Sequence, residues 1–232
     1  MKCIGMLGGM SWESTQSYYK GLNKGVKDRL GGLHSARISL HSVDFAEIEK
    51  LQHAGDWDKT AKILTEAAVG VEKSGADFLM ICTNTMHKVA PAIEEALTIP
   101  LLHIADATGQ KLKEDGIKRV GLLGTKFTME QDFYKGYLTQ HHGIEVMVPD
   151  EAQREWVHQI IYDELCLGEI KEDSRKLYLA IIEDMAEEGC EAVILGCTEI
   201  ALLVQQDQTD VPLYDTTQIH VEKAIDWALD NG

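Results

Sequence analysis

The sequence predicts an α/β protein made of two pseudo-symmetric lobes, each a parallel sheet flanked by helices. Two observations lead to this fold class. Short apolar segments alternate along the chain with longer amphipathic segments, which is the pattern of parallel strands connected by helices. In addition, three segments of the first half of the chain recur in the same order in the second half.

In chain order, the predicted strands are short apolar runs, and the helices between them carry start and stop signals. The predicted helix 44–54 begins at Asp44, and Glu47 stands three residues later, as in a capping box. The next predicted helix, 56–73, ends just before Gly75, a residue typical of helix C-termini. The predicted strands are 2–7, 37–42, 77–82, 100–104, 118–123, 144–147, 191–196 and 212–214.

The internal repeat aligns Thr83 with Cys197. Three matches in the same order, at nearly constant spacing, favour duplication of one α/β unit. Recurring strand and helix patterns could imitate one such match but not easily all three. The matching pairs are 4–8 with 120–124, 75–83 with 189–197, and 99–102 with 211–214, at offsets of 116, 114 and 112 residues.

The repeat also predicts the domain boundaries. The first lobe is expected to contain 1–103 and 212–232, and the second 104–211, because the predicted helix 216–230 is left over after the last match. Ligands of open α/β sheets bind beyond the carboxyl ends of the strands. Thr83 and Cys197 each follow such a strand, so we expect them to face each other across a cleft that forms the active site.

Composition excludes several classes of protein. A net charge of −16 argues against nucleic acid as a partner, since a phosphate-binding surface needs clustered Lys and Arg. The sequence has no apolar run long enough for a membrane span and no signal-peptide pattern, so a cytoplasmic location is expected. It also lacks the HExxH, CxxC, GxGxxG and P-loop patterns of metal and nucleotide sites.

Cys197 is the candidate acid/base residue among the five cysteines. Inverting an α-carbon requires one group on each face of the substrate, one removing the proton and one returning a proton. Cys197 follows an apolar strand, in a turn where backbone N–H groups are expected to lower its pKa. The alternative role, a small buried hydrophobe, fits Cys3, Cys82 and Cys190 better, because each lies in or beside an apolar strand.

Two segments resemble the paired signatures of the aspartate/glutamate racemase family: 83–87 (TNTMH) and 196–199 (GCTE). That family usually has cysteine at the position of Thr83. The pairing of threonine with cysteine is similar to that of family members specific for L-aspartate and L-glutamate. The resemblance extends over essentially the whole chain, and further similar segments are 8–15 (GGMSWEST), 43–48 (VDFAEI) and 123–128 (LGTKFT).

The resemblance implies an activity, its residues and its partners. It implies a racemase of aspartate and glutamate, with Cys197 as the base towards the L-enantiomer and Thr83 as the donor on the opposite face. It also implies a homodimer, an amino dicarboxylate substrate, and neither pyridoxal phosphate nor a metal ion. Because a hydroxyl is a far weaker base than a thiol, L-substrates are expected to be favoured. The residues expected to bind substrate are Met10, Gln52, Asn84, Thr85, Thr125 and Thr198.

Several alternatives stay open at the level of sequence. Each threonine taken singly could be a helix cap or a turn residue. His87 and Glu199 are candidate proton relays, and Lys126 is a candidate partner of the distal carboxylate. The same scaffold also serves related hydantoin racemases, maleate isomerases and arylmalonate decarboxylases, so a single-thiol isomerase or decarboxylase is an alternative. Another is a non-catalytic protein that binds amino dicarboxylates.

Overall fold

The structure is a computed structural model, and it describes residues 1–230. The chain forms two compact units. The first contains Met1–Ile104 and the C-terminal segment from His220 onward, and the second contains Ala105–Ile219. In the described part of the chain, no helix is long and apolar enough to cross a membrane.

The first unit is a parallel sheet with helices on both faces. Its strands have the order β2-β1-β3 and pair in parallel. Its elements are β1 (Ile4–Gly8), α1 (Trp12–Leu30), β2 (Ile38–Ser42), α2 (Phe45–Ala54), α3 (Trp57–Lys73), β3 (Phe78–Ile81) and α4 (Ala90–Ala96).

The second unit contains a four-stranded parallel sheet in the order β5-β4-β6-β7. The helix α11 begins in this unit and ends in the first. The elements are α5 (Ile104–Glu114), β4 (Arg119–Leu123), α6 (Lys126–Glu130), α7 (Asp132–Tyr137), β5 (Glu145–Met147), α8 (Glu151–Asp163), α9 (Glu172–Glu187), β6 (Ala192–Leu195), α10 (Ile200–Leu203), β7 (Leu213–Asp215) and α11 (Thr216–Leu229).

The two sheets repeat one topology down to single hydrogen bonds. The backbone N–H of Leu79 in β3 donates to the carbonyl of Pro100 at 2.9 Å, and that of Val193 in β6 donates to Pro212 at 2.9 Å. These donors are related by the offset of 114 residues and the acceptors by the offset of 112. The internal repeat seen in the sequence therefore corresponds to a repeated structural unit.

Two predictions about this repeat need correction. The strand predicted at 100–104 is reduced to a single bridge between Leu79 and Leu101, because α5 already begins at Ile104. The predicted return of the chain to the first unit at residue 212 is eight residues too early. Residues of β7 hydrogen-bond with β6 and so belong to the second sheet, and the return comes at His220.

The core of the first unit follows the alternation of side chains along its strands. In β1, Ile4 and Met6 lie in one buried cluster with Tyr18 of α1, whereas Leu7 lies in another with Leu64 of α3. Successive strand residues point to opposite faces, so the sheet has one core on each side. Burial of each such side chain contributes about 1.5–3 kcal/mol. These two cores hold the carboxyl ends of β1 and β3 in place.

The predicted boundaries of α2 and α3 largely agree with the structure, whereas the predicted capping box of α2 does not form. The predicted helices 44–54 and 56–73 are observed as Phe45–Ala54 and Trp57–Lys73. The Asp44 carboxylate accepts the backbone N–H of Ala46, two residues on, rather than that of Glu47 as in a capping box, and this bond stabilises the start of α2. This cap fixes the direction of the chain as it leaves the carboxyl end of β2.

Candidate active site

The Thr83 loop, residues 82–87, follows β3 in the first unit. The backbone N–H of Cys82 donates to Leu7 of β1 at 2.9 Å, which continues the sheet pairing by one residue. The hydroxyl of Ser14 in α1 donates to the carbonyl of Cys82 at 2.9 Å. Asn84 and Thr85 are buried, and a short 3₁₀ helix, Thr85–Val89, follows them. The loop is therefore fixed from its first residue, with Thr83 only partly buried.

His87 closes the Thr83 loop and is itself buried, with 2% of its surface exposed. Its Nδ1 lies 2.8 Å from the carbonyl oxygen of Thr83, and its Nε2 lies 3.2 Å from the backbone nitrogen of Ile104. Burial, together with nearby His103 and His220, holds the pKa of His87 well below its ordinary value. Both ring nitrogens therefore contact backbone groups of the first unit.

The Cys197 loop, residues 196–199, follows β6 in the second unit. The backbone N–H of Gly196 donates to Leu123 of β4 at 2.6 Å, the counterpart of the bond from Cys82 to Leu7. The Cys197 thiol donates to Oε2 of Glu199 at 3.0 Å. Glu199 is only 4% exposed, so this carboxylate lies beside the thiol in surroundings that exclude most water.

Burial raises the pKa of the Cys197 thiol well above its ordinary value, and the negative charge of Glu199 raises it further. The backbone N–H of Glu199 lowers the pKa but is outweighed. The expected lowering by a backbone N–H group is therefore present, but the net shift of the pKa is upward. Ionisation of Cys197 requires a nearby proton acceptor, and the Glu199 carboxylate is in hydrogen-bond contact with the thiol.

Three other cysteines match the prediction of a buried hydrophobic role. Cys3, Cys82 and Cys190 are buried in the core, and burial raises the pKa of each thiol. Thiols buried in apolar surroundings are less reactive than thiols in exposed or electropositive surroundings. Cys166 is partly buried and packs against the core of the second unit.

The six residues predicted to bind substrate are all buried. In the first unit, Met10 follows β1 as Thr83 follows β3, so both lie at the carboxyl edge of one sheet. In the second, Thr198 adjoins Cys197, and Thr125 follows β4, the strand that pairs with β6. Gln52 lies near the end of α2. The buried members of this set are Met10, Gln52, Asn84, Thr85, Thr125 and Thr198.

Two of these positions also serve the local fold. The Thr125 hydroxyl caps α6 by accepting the backbone N–H of Thr128 at 3.3 Å, so the interpretation as a helix cap is correct for this residue. The Lys126 ammonium donates to Glu155 at 2.5 Å. Lys126 is therefore already paired with a carboxylate, which weakens its case as a partner of a substrate carboxylate.

The contacts that hold the Thr83 loop could not be predicted from sequence patterns. Ser14 lies in a segment noted only for its family resemblance, yet its hydroxyl bonds to the carbonyl of Cys82. The contact from His87 to Ile104 joins residues 17 positions apart across a loop. Neither contact follows from spacing, because each joins a side chain to a backbone group that the fold brings close to it.

A family model for the Asp/Glu/hydantoin racemases matches residues 7–224. The chain belongs to this family. A protein from Yersinia pestis assigned to the Asp/Glu racemases has a crystal structure with a TM-score of 0.93, at 55% identity, covering 99% of this chain and 100% of that one. A second structure, an aspartate racemase homologue from Pyrococcus horikoshii OT3, gives a TM-score of 0.86 at 34% identity, covering 98% and 99%.

Among proteins of described activity, the chain is similar to the broad specificity amino-acid racemase RacX of Bacillus subtilis (strain 168). The two are 28% identical over 167 residues, which is 70% of this chain and 69% of RacX. These relatives support an isomerase of the racemase type for this family member. The chain has the α/β fold of its structural neighbours, with two parallel sheets flanked by helices.

Proposed function

We propose that this protein interconverts L- and D-aspartate or glutamate without a cofactor and favours L-substrates. In the proposed reaction Cys197 removes the α-proton of the L-enantiomer, and the hydroxyl of Thr83 returns a proton to the opposite face. The observation that carries the proposal is the contact between the Cys197 thiol and the buried Glu199 carboxylate at 3.0 Å.

The proton balance of this step uses Glu199. The carboxylate takes the thiol proton, which leaves a thiolate and a neutral carboxylic acid. The thiolate then takes the α-proton, and the electron pair of that C–H bond passes to the substrate's carboxylate as an enediolate. The hydroxyl of Thr83 returns a proton to the other face, which completes inversion. Water then reprotonates the Thr83 oxygen and takes the proton from Glu199, so both residues return to their starting states. The acceptor is needed because burial keeps the thiol protonated at neutral pH.

The threonine makes the two directions chemically unequal. A neutral hydroxyl is a far weaker base than a thiolate, so abstraction from the D-enantiomer is slow unless water takes the proton of Thr83. The enantiomers have equal free energies, so kcat/KM must be the same in both directions. The asymmetry is therefore confined to kcat and KM taken separately, with a higher kcat for L-substrate.

We assign substrate binding to polar groups beside the two acid/base residues. Asn84 and Thr85 follow Thr83 directly, and Thr198 follows Cys197, so each can donate to the α-carboxylate. Backbone N–H groups of the same loops add further donors. We also assign Met10, Gln52 and Thr125 to the substrate site, the last in addition to its role as a cap.

The deciding experiment is proton NMR of L-glutamate and L-aspartate in deuterated buffer, coupled to chiral chromatography. We expect loss of the α-proton signal and formation of D-product. Cys197→Ala should abolish both. Cys190→Ala is the matched control. Cys190 is a buried cysteine that precedes β6, whereas Cys197 follows the same strand, so Cys190 lies outside the Cys197 loop. This variant should retain both reactions.

Each other result would point to a different function. If Cys197→Ala retained turnover, the mechanism would be wrong. A decarboxylated or cis–trans isomerised product from other acids would indicate the single-thiol reactions of this scaffold. Saturable binding of the amino acids without exchange, unchanged in Cys197→Ser, would indicate a binding protein.

A further inference from the structure

A cluster of three buried histidines lies beneath the Thr83 loop in the first unit. The exposed fractions of His87, His103 and His220 are 2%, 9% and 0%. The ring of His87 lies 4.5 Å from that of His103 and 6.1 Å from that of His220, centroid to centroid. Burial lowers the pKa of both His87 and His220, so these two rings are neutral at neutral pH.

The hydrogen bonds fix the tautomer of His220. Its Nε2 lies 2.8 Å from the carbonyl oxygen of Leu102, which only accepts, so Nε2 carries the proton. Nδ1 is then an acceptor, and the hydroxyl of Tyr18 donates to it at 3.0 Å. His220 thus joins α11 to α1 and to the segment before Ile104.

The same argument fixes His87 in the opposite tautomer. The backbone N–H of Ile104 only donates, so Nε2 of His87 is the acceptor in that 3.2 Å contact. Nδ1 then carries the proton and donates to the carbonyl of Thr83 at 2.8 Å. A protonated ring could not accept from Ile104, so both contacts exist together only in the neutral form.

We propose that His87 is a positioning residue that sets the direction of Thr83 by holding its carbonyl with Nδ1–H. The hydroxyl of Ser14 holds the preceding carbonyl, that of Cys82, at 2.9 Å. Two consecutive peptide units of the loop are therefore fixed by side chains. The side chain of Thr83 leaves the backbone between these units, so its direction depends on both bonds. This inference rests on the proposed role of Thr83.

The test separates the two proton transfers of the proposed reaction. Cys197 alone exchanges the α-proton of L-glutamate, whereas inversion also needs Thr83. A misdirected Thr83 should therefore lower the rate of inversion by about tenfold or more, while exchange changes by less than about threefold. The ratio of deuterium exchange to D-product formation measures this, and a merely structural lesion lowers both rates together.

Two variants distinguish the two nitrogens of His87. In His87→Asn the amide nitrogen takes the place of Nδ1 and can still donate to Thr83, so the ratio should stay near the wild-type value. In His87→Gln the amide reaches the position of Nε2 but leaves no donor for Thr83, so the ratio should rise. Tyr18→Phe is the control, because it removes a buried hydrogen bond of the same cluster without touching the loop.

An equal fall of exchange and inversion in His87→Gln, or an unchanged ratio, would overturn the proposal. So would a raised ratio in Tyr18→Phe. A second measurement does not depend on activity: ¹⁵N NMR of the imidazoles should show His87 as the Nδ1–H tautomer from pH 6 to 8. If the spectrum showed the Nε2–H tautomer of His87, or protonation of this ring between pH 6 and 8, the proposed role of His87 would be wrong even if turnover was normal. Absence of wild-type turnover would instead contradict the proposed function.

Discussion

Glu199 exerts two opposite effects on the thiol of Cys197. Its negative charge raises the pKa of the thiol, which disfavours loss of the proton to solvent. Its Oε2, 3.0 Å from Sγ, also provides a site for that proton. The first effect is electrostatic and the second is chemical transfer, so removal of the carboxylate should separate them.

Glu199→Gln should therefore change alkylation and catalysis in opposite directions. Without the negative charge the thiol pKa falls, so iodoacetamide should modify Cys197 faster at pH 8, as followed by mass spectrometry of its peptide. Without the acceptor, racemisation should slow by about 10²-fold. If both rates rose together, Glu199 would act only through its charge and not as a proton acceptor.

Thr83→Cys would place a thiol at both positions of the proposed acid/base pair. A thiolate is a much better base than an aliphatic hydroxyl, so kcat for the D-enantiomer should rise by about tenfold or more. KM for that enantiomer must rise in proportion unless kcat/KM for the L-enantiomer also increases. Full progress curves from each pure enantiomer measure both constants. An unchanged D-direction kcat would mean that Thr83 does not limit that direction.

The position of the acid/base residue could be predicted from the sequence, but its pKa and the contacts around it could not. The placement of Cys197 after a strand followed from the repeat and the apolar run before it. The direction of its pKa did not, because neighbours in sequence do not show how far the thiol is buried or which carboxylate contacts it. The role of His87 was equally hidden, since its two partners are backbone groups of Thr83 and Ile104.

Glycine at equivalent positions of the two central strands keeps the sheets close to their helices. A Cβ added to Gly5 would lie 2.7 Å from Val71 in α3 and 2.8 Å from the carbonyl of Phe78. One added to Gly121 would lie 2.6 Å from Met185 in α9. Val71 and Met185 are themselves related by the repeat offset of 114 residues. Both units thus use the same close approach of helix to strand.

Gly5→Ala should lower the free energy of unfolding by about 1–3 kcal/mol, because the added methyl group overlaps backbone that cannot move aside. Gly70→Ala is the matched control on the exposed face of α3. There a Cβ would meet only His41, at 3.8 Å, so alanine should stabilise the helix by about 0.5–1 kcal/mol. Urea unfolding curves measure both effects. A neutral Gly5→Ala would mean that α3 shifts to accommodate the methyl group.

The internal repeat predicted which strands of the two sheets are equivalent, which no single sequence pattern did. It related β1 to β4 and β3 to β6, and the sheets pair accordingly. It was wrong at 100–104, where hydrogen bonding of Leu101 to β3 stops after one bridge because a helix starts at Ile104. Apolar runs do not distinguish a short strand from the lead-in to a helix, so this boundary could not be read from composition.

For the whole chain, the repeat predicted two units but not where the chain returns to the first. The last strand, β7, pairs with β6 through residues Leu213–Asp215 and so extends the second unit beyond residue 212. The decisive residue is His220, whose ring bonds to Leu102 and Tyr18 of the first unit. Nothing in the sequence around His220 indicates that its ring bonds to Leu102 and Tyr18.

His220 also couples the stability of the chain to pH. Burial lowers its pKa from 6.5 to about 4 in the folded protein. The unfolded chain therefore binds a proton below pH 6.5 that the folded chain does not bind until about pH 4. Stability contributed by the neutral ring is fully present above pH 6.5 and is lost as pH falls towards 4, at up to about 1.4 kcal/mol per pH unit.

We therefore expect the free energy of unfolding to fall between pH 7 and pH 5, and to fall less steeply in His220→Asn. That variant should be less stable at pH 7, because it loses buried hydrogen bonds, but its dependence on pH should be weaker by about 1.4 kcal/mol per unit below pH 6. Urea titrations at several pH values provide the comparison. Parallel slopes in the two proteins would mean that the ring is already protonated, or solvated, in the folded chain.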